Sequence, residues 1–179
     1  MKQKILTIPN LLSFFRIVLI PVIIWLYVVK QDYLWTMLVL VLSGVTDVVD
    51  GFIARKFNMV SDFGKAFDPV ADKLTQIATL FCLVKRFPFM KVPLVTLVVK
   101  EVFAGITGLL TIRKSGQVMS AVWHGKVTTF LLYSMMALHI VWFNIPGVVS
   151  DITVVICTIM MVLSAVLYGA RNIAILRRK

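Results

Sequence analysis

Acidic side chains are scarce in this chain, eight Asp and Glu in 179 residues, and five of the eight fall between Asp47 and Asp72. Asp47 and Asp50 are three residues apart; Asp68 and Asp72 are four apart. On helices, either spacing puts both carboxylates of a pair on one face. An aspartate at the centre of a membrane helix costs roughly 2.5–3.5 kcal/mol on insertion scales. Four close together also repel one another unless protonated or counter-charged. Solvated helix ends are the bland alternative, and the ordered spacing argues against it. Four carboxylates around one cavity make a hard-oxygen site suited to Mg²⁺ or Mn²⁺, one ion or two, with phosphate oxygens of a ligand completing the shell. Zinc fits poorly, because His124 and His139 lie far off in sequence and Cys82 and Cys157 stand singly in apolar runs.

The elements that must position these carboxylates are membrane helices. The chain is 60% apolar and only 15% charged, with a mean hydropathy of +0.95, which excludes a water-soluble globule, a disordered chain, a collagen-like fibre and a disulfide scaffold. Apolar runs and their breaks give six spans, at about 11–29, 33–54, 63–84, 92–112, 120–143 and 149–176. Runs of this length without alternation read as helices rather than barrel strands. The expected fold is therefore an all-α integral membrane protein of six transmembrane helices, with one domain over 1–179. The second and third helices, joined by a short connection, are expected to be antiparallel neighbours, bringing both aspartate pairs to similar depth. Pro69 requires a third helix that starts late or bends there.

Charge sets the orientation. Nineteen Lys and Arg against eight Asp and Glu give a formal +11, but so apolar a chain leaves no face for a nucleic acid. Anionic lipid headgroups and the positive-inside rule account for the excess. Lys2, Lys4, Arg55, Lys56, Lys65, Arg113, Lys114 and the C-terminal basic cluster fall on one side. Both termini and the active-site cavity are thus expected at the cytosolic face of the cell membrane. The first apolar stretch carries Arg16 and Pro21 and lacks a small-residue cleavage site, so it reads as a retained helix.

The residues Asp47-x2-Asp50-Gly51-x2-Ala54-Arg55-x8-Gly64-x3-Asp68-x3-Asp72 resemble, at every fixed position, the signature of the CDP-alcohol phosphatidyltransferases. The resemblance implies a homodimeric membrane enzyme that transfers a phosphatidyl group from CDP-diacylglycerol to an alcohol and releases CMP. It implies that Asp47, Asp50, Asp68 and Asp72 hold two divalent cations and that Asp72 is the general base. It places Gly51, Arg55 and Ser61 against the CDP moiety. The segment Ile8-Pro9-Asn10-Leu11-Leu12-Ser13-Phe14-Phe15-Arg16 is similar to the N-terminal segment of the phosphatidylglycerophosphate synthases within that family, making Asn10 and Ser13 candidates for nucleotide contact. For Asn10 the alternative is a helix cap.

Asp68-Pro69-Val70-Ala71-Asp72-Lys73-Leu74 resembles the form found in phosphatidylglycerophosphate synthases and in the cardiolipin synthases of the family. Glycerol 3-phosphate is the favoured acceptor, with phosphatidylglycerol, serine or inositol phosphate as alternatives. Arg113, Lys126 and Arg171 all fall towards the cytosolic side and are candidates for holding an acceptor phosphate; snorkelling is the alternative, chiefly for Arg113. Two departures stand out. Lys100-Glu101 replaces the Arg-Glu usual in those synthases, and Gly125-Lys126-Val127-Thr128-Thr129 lacks their second lysine. Lys100 and Glu101 sit about 100° apart around a helix and need not pair. His139 reads as a packing residue, and His124 lies nearer the expected active face. A different class, a small cation-coupled transporter, would also use intramembrane aspartates; the adjoining Arg55 and the absence of paired broken helices speak against it.

Overall fold

A computed structural model describes residues 7–57, 62–115 and 123–177. The described residues are helical apart from short turns, with no strand among them. In chain order the α-helices are α1 (Ile8–Ile24), α2 (Tyr33–Lys56), α3 (Asp62–Val84), α4 (Lys91–Ser115), α5 (Trp123–Val141) and α6 (Gly147–Arg177). A π-helical stretch, Trp25–Lys30, prolongs α1, and a 3₁₀ turn, Pro88–Met90, precedes α4. Each α-helix overlies one of the apolar runs.

Among the described residues, four segments are long and apolar enough to cross a membrane: Pro9–Lys30, Tyr33–Ile53, Pro88–Thr111 and Gly147–Ile175. Helix α3 carries Asp62, Lys65, Asp68, Asp72 and Lys73, and α5 carries Lys126 and two histidines, which lowers their hydropathy. Burial has the sense expected of a membrane protein. Leu34, Val48, Phe81, Leu109, Phe130 and Val148 are 64% to 71% exposed, a cost in water but not against lipid tails. Ser13, Arg16, Asp50, Thr75 and Gln76 are buried instead. Trp25, Trp35, Trp123 and Trp142 are all exposed, as interfacial aromatics are.

The chain divides into two compact units, Met1–Cys82 and Leu83–Lys179. In the first, α1 packs along α2. Helix α1 opens after Thr7, whose extended backbone forms the N-cap, with a proline in the first turn where no N–H is needed. Its π-helical extension stops at Gln31, at φ 54°, a left-handed residue that turns the chain. Asp32 then caps α2, accepting the Trp35 N–H at 3.1 Å. Edge-to-face packing of Tyr27 and Tyr33, with centroids 5.4 Å apart, closes this corner. Helix α3 starts at Asp62 and runs through Pro69 without a late start, so the proline removes one helical hydrogen bond beside Asp68.

In the second unit, α4 and α5 both pack on α6. Gly169 lets α4 come close: a Cβ there would lie 2.9 Å from the Phe103 ring. Asn172 Nδ2 donates to Thr107 Oγ1 at 3.0 Å, joining α6 to α4. At the other end of the unit, buried His139 bridges the Met135 carbonyl oxygen (2.8 Å) and Ser150 Oγ (2.9 Å), joining α5 to α6. It is a satisfied packing residue, as the sequence suggested.

Candidate active site

Asn10, Ser13 and Arg16 recur every three residues on α1, share its inward face, and are all buried. Arg16 is the centre of the arrangement, with 1% of its side chain exposed. Its Nη2 donates to Asp50 Oδ2 at 2.6 Å and to Ser13 Oγ at 3.2 Å. Its Nη1 donates to Asp47 Oδ1. Ser13 Oγ contacts Asp68 Oδ1, lies 3.3 Å from Asp50 Oδ2, and lies 3.1 Å from the Pro9 carbonyl oxygen. A hydroxyl has one proton to give, and the closest acceptor is Asp68. One turn and a half of α1 thus ties together carboxylates from α2 and α3.

Asp72 is held in part by its own helix. Gln76 Nε2 donates to Asp72 Oδ2 at 2.9 Å, Lys73 Nζ stands 3.6 Å from the same oxygen, and Lys73 Nζ also reaches Gln76 Oε1 at 3.3 Å. Asp72 nevertheless belongs to the same electrostatic neighbourhood, for both it and Asp68 repel the Asp47 carboxylate, and Asp68 repels Asp50. Asp50 of α2 and Asp68 of α3 are close enough for one hydroxyl, that of Ser13, to reach both. Such crowding of like charge inside an apolar bundle needs a counter-charge, and Arg16 supplies one.

Among the described residues, no three His, Cys, Asp or Glu side chains stand close enough, as placed, to enclose an ion. The donor chemistry nonetheless fits a hard cation, since every acidic group here is a carboxylate. Asp47, Asp50 and Asp68 each give only one oxygen to Arg16 or Ser13 and keep the second outside those bonds.

The other candidates divide by position. Gly51 is half-buried on α2 directly after Asp50. Arg55 is on the last turns of α2, with its side chain outside the described set, and Ser61 lies outside the described residues. Asn10 does not cap α1, because Thr7 holds that position; Asn10 sits buried within the first turn. In the second unit, Arg113 and Lys126 are exposed and Arg171 is half-buried. The Thr107–Asn172 bond and the approach of Gly125 to Tyr168 bring the end of α4, the start of α5 and the end of α6 together. All three basic residues belong to that end. His124, buried beside them, bonds Ser164 Oγ at 3.1 Å and meets the Tyr168 ring edge-on at 4.6 Å. Lys100, whose pairing the sequence left open, does pair with Glu101, at 2.6 Å. Two long side chains can fold across adjacent positions, and an apolar setting makes a lone charge costlier than a poor angle.

A sequence model of CDP-alcohol phosphatidyltransferases matches residues 6–171. The chain belongs to the CDP-alcohol phosphatidyltransferase family. A CDP-diacylglycerol–glycerol-3-phosphate 3-phosphatidyltransferase of Rickettsia typhi is 36% identical to it over 143 residues, 78% of this chain and 78% of the relative. One of the same name from Bacillus subtilis is 30% identical over 184 residues, 92% of this chain and 94% of the relative. A CMP-forming cardiolipin synthase of Streptomyces coelicolor is 42% identical over 89 residues, 47% of this chain and 41% of the relative. The matched region of the phosphatidyltransferase family includes both aspartate pairs and the α1 face that contacts them. In the sequence Arg16 stands out only as a charge within the first apolar stretch and as the end of the N-terminal segment. The signal that would have found it is the three-residue repeat of Asn10, Ser13 and Arg16 on a helix otherwise apolar. Gln76 was missed too, although it stands one turn from Asp72.

Proposed function

We propose that this chain transfers the phosphatidyl group of CDP-diacylglycerol to glycerol 3-phosphate, giving phosphatidylglycerophosphate and CMP. The observation that carries the reading is the gathering of Asp47, Asp50 and Asp68 around Arg16 and Ser13, with Asp72 in electrostatic range. These are the signature positions of a family whose relatives in Rickettsia typhi and Bacillus subtilis carry that activity in their names.

Two divalent cations, Mg²⁺ or Mn²⁺, held by Asp47, Asp50, Asp68 and Asp72, would neutralise the diphosphate and stabilise the departing phosphate. Asp72 takes the proton of the acceptor hydroxyl as that oxygen attacks the phosphorus bearing the diacylglycerol. The new P–O bond forms as the P–O bond to CMP breaks, and the electron pair leaves on the CMP phosphate. Gln76 and Lys73 orient the Asp72 carboxylate. Asn10, Ser13, Gly51, Arg55 and Ser61 bind the CDP moiety. Arg113, Lys126 and Arg171 hold the phosphate of the acceptor by charge-assisted hydrogen bonds. The setting of this reading is a single domain of six transmembrane helices, working as a homodimer in the cell membrane with termini and site cytosolic. It is supported by the family match across both compact units and by the basic residues flanking the apolar runs.

The test is an acceptor panel on detergent-purified protein with CDP-diacylglycerol. CMP release that requires Mg²⁺ or Mn²⁺ and is fastest with glycerol 3-phosphate supports the reading. Fastest release with phosphatidylglycerol favours the second reading, a cardiolipin synthase, for which the Streptomyces coelicolor relative speaks. Fastest release with serine or inositol phosphate moves the acceptor to that alcohol. Cation flux without CMP release from any acceptor would replace the enzyme by a transporter.

A further inference from the structure

We infer that Arg16 is a built-in counter-ion of the carboxylate cluster, a positioning residue that competes with divalent cations for Asp47 and Asp50 and so sets how tightly the site binds them. The inference rests on the metal-dependent reading above and adds a residue to it. Arg16 is 1% exposed, and its two terminal nitrogens bond carboxylates three positions apart on α2. Its Nε is buried with no hydrogen-bond partner among the described residues. A guanidinium buried in a membrane helix with one donor unsatisfied is held there by charge, not by a complete hydrogen-bond set. Asp47 and Asp50 each give Arg16 one oxygen. A cation binding the remaining oxygens would meet a fixed positive charge a few ångströms away. Arg16 thus keeps the carboxylates gathered and at the same time weakens their hold on an ion. Ser13 adds no charge, but its hydroxyl ties Asp68 to the same cluster by a hydrogen bond.

The experiment uses the full chain in detergent, with Mn²⁺ alone as probe and EDTA as control. Thermal unfolding and Mn²⁺ binding are measured for wild type, Arg16→Gln and Arg16→Lys. In EDTA, Arg16→Gln is expected to lower Tm by roughly 10 °C, as breaking a buried ion pair does. Mn²⁺ should restore most of that loss and bind about tenfold or more tightly than to wild type, because the repelling charge is gone. Arg16→Lys keeps the charge but not the fork. It should lose stability in EDTA and hold Mn²⁺ affinity within about threefold of wild type. This second variant decides the matter if Arg16→Gln fails to fold. An equal Tm loss for Arg16→Gln with and without Mn²⁺, or unchanged or weaker Mn²⁺ binding, overturns the inference and leaves the enzyme reading standing. So does a tenfold change in affinity for Arg16→Lys. Absence of Mn²⁺ binding to wild type removes the metal reading itself, and this inference with it.

Discussion

Gln76→Met tests whether Asp72 works by placement. The side chain of Gln76 is fully buried, and its amide gives Asp72 Oδ2 a hydrogen bond of 2.9 Å from one turn away. Methionine has similar length and volume, so packing around α3 is largely kept while the donor is lost. A hydrogen bond to a charged group contributes about 1.5–3 kcal/mol. If that bond fixes the orientation of the proposed base, the same energy is lost from the transition state, about 10- to 150-fold in kcat. The Lys73 contact at 3.3 Å to Gln76 Oε1 disappears as well, which frees Lys73 to move towards Asp72 and keeps the loss towards the lower end. KM for CDP-diacylglycerol should change less than kcat, because at saturating metal Asp47, Asp50 and Asp68 still hold the cations that meet its diphosphate. The assay is CMP release under saturating metal and acceptor, with Tm measured on the same preparation. A kcat within twofold of wild type, at unchanged Tm, would refute the placement argument.

Asp72→Asn keeps the shape and the Gln76 neighbourhood but cannot accept the proton; turnover should be lost with Tm near wild type, and near-normal activity removes Asp72 as base. Lys126→Ala and Arg171→Ala should raise KM for glycerol 3-phosphate by about tenfold or more, the worth of a charge-assisted hydrogen bond, and leave KM for CDP-diacylglycerol unchanged; equal effects on both substrates speak against an acceptor pocket. Gly125→Ala places a Cβ 2.6 Å from Tyr168 Oη and should cost about 1–3 kcal/mol of stability. Tyr168→Phe in the same chain should recover part of the loss, and a double variant no more stable than Gly125→Ala would show that the clash is not with the hydroxyl.

Much of this protein was legible in the order of its residues. Apolar runs delimited by Lys, Arg, Pro and Gly are helical throughout the described residues, and the four long and apolar enough to cross a membrane suit lipid, where the backbone must satisfy its own hydrogen bonds. The spacing of Asp47 with Asp50 and of Asp68 with Asp72 is a local property of a helix, so each pair could be assigned to one face before any packing was known. Tertiary structure decided what local periodicity cannot carry. Which helix faces the carboxylates is a long-range fact, and it is α1 that reaches both α2 and α3 through Arg16 and Ser13, thirty-one to fifty-five residues away. The partners of Arg16 were likewise decided in three dimensions, for it took two aspartates from another helix. The physical reason is common to both. Coulomb energy and burial depend on distance in space, and in an apolar interior they outweigh any preference a residue has along the chain.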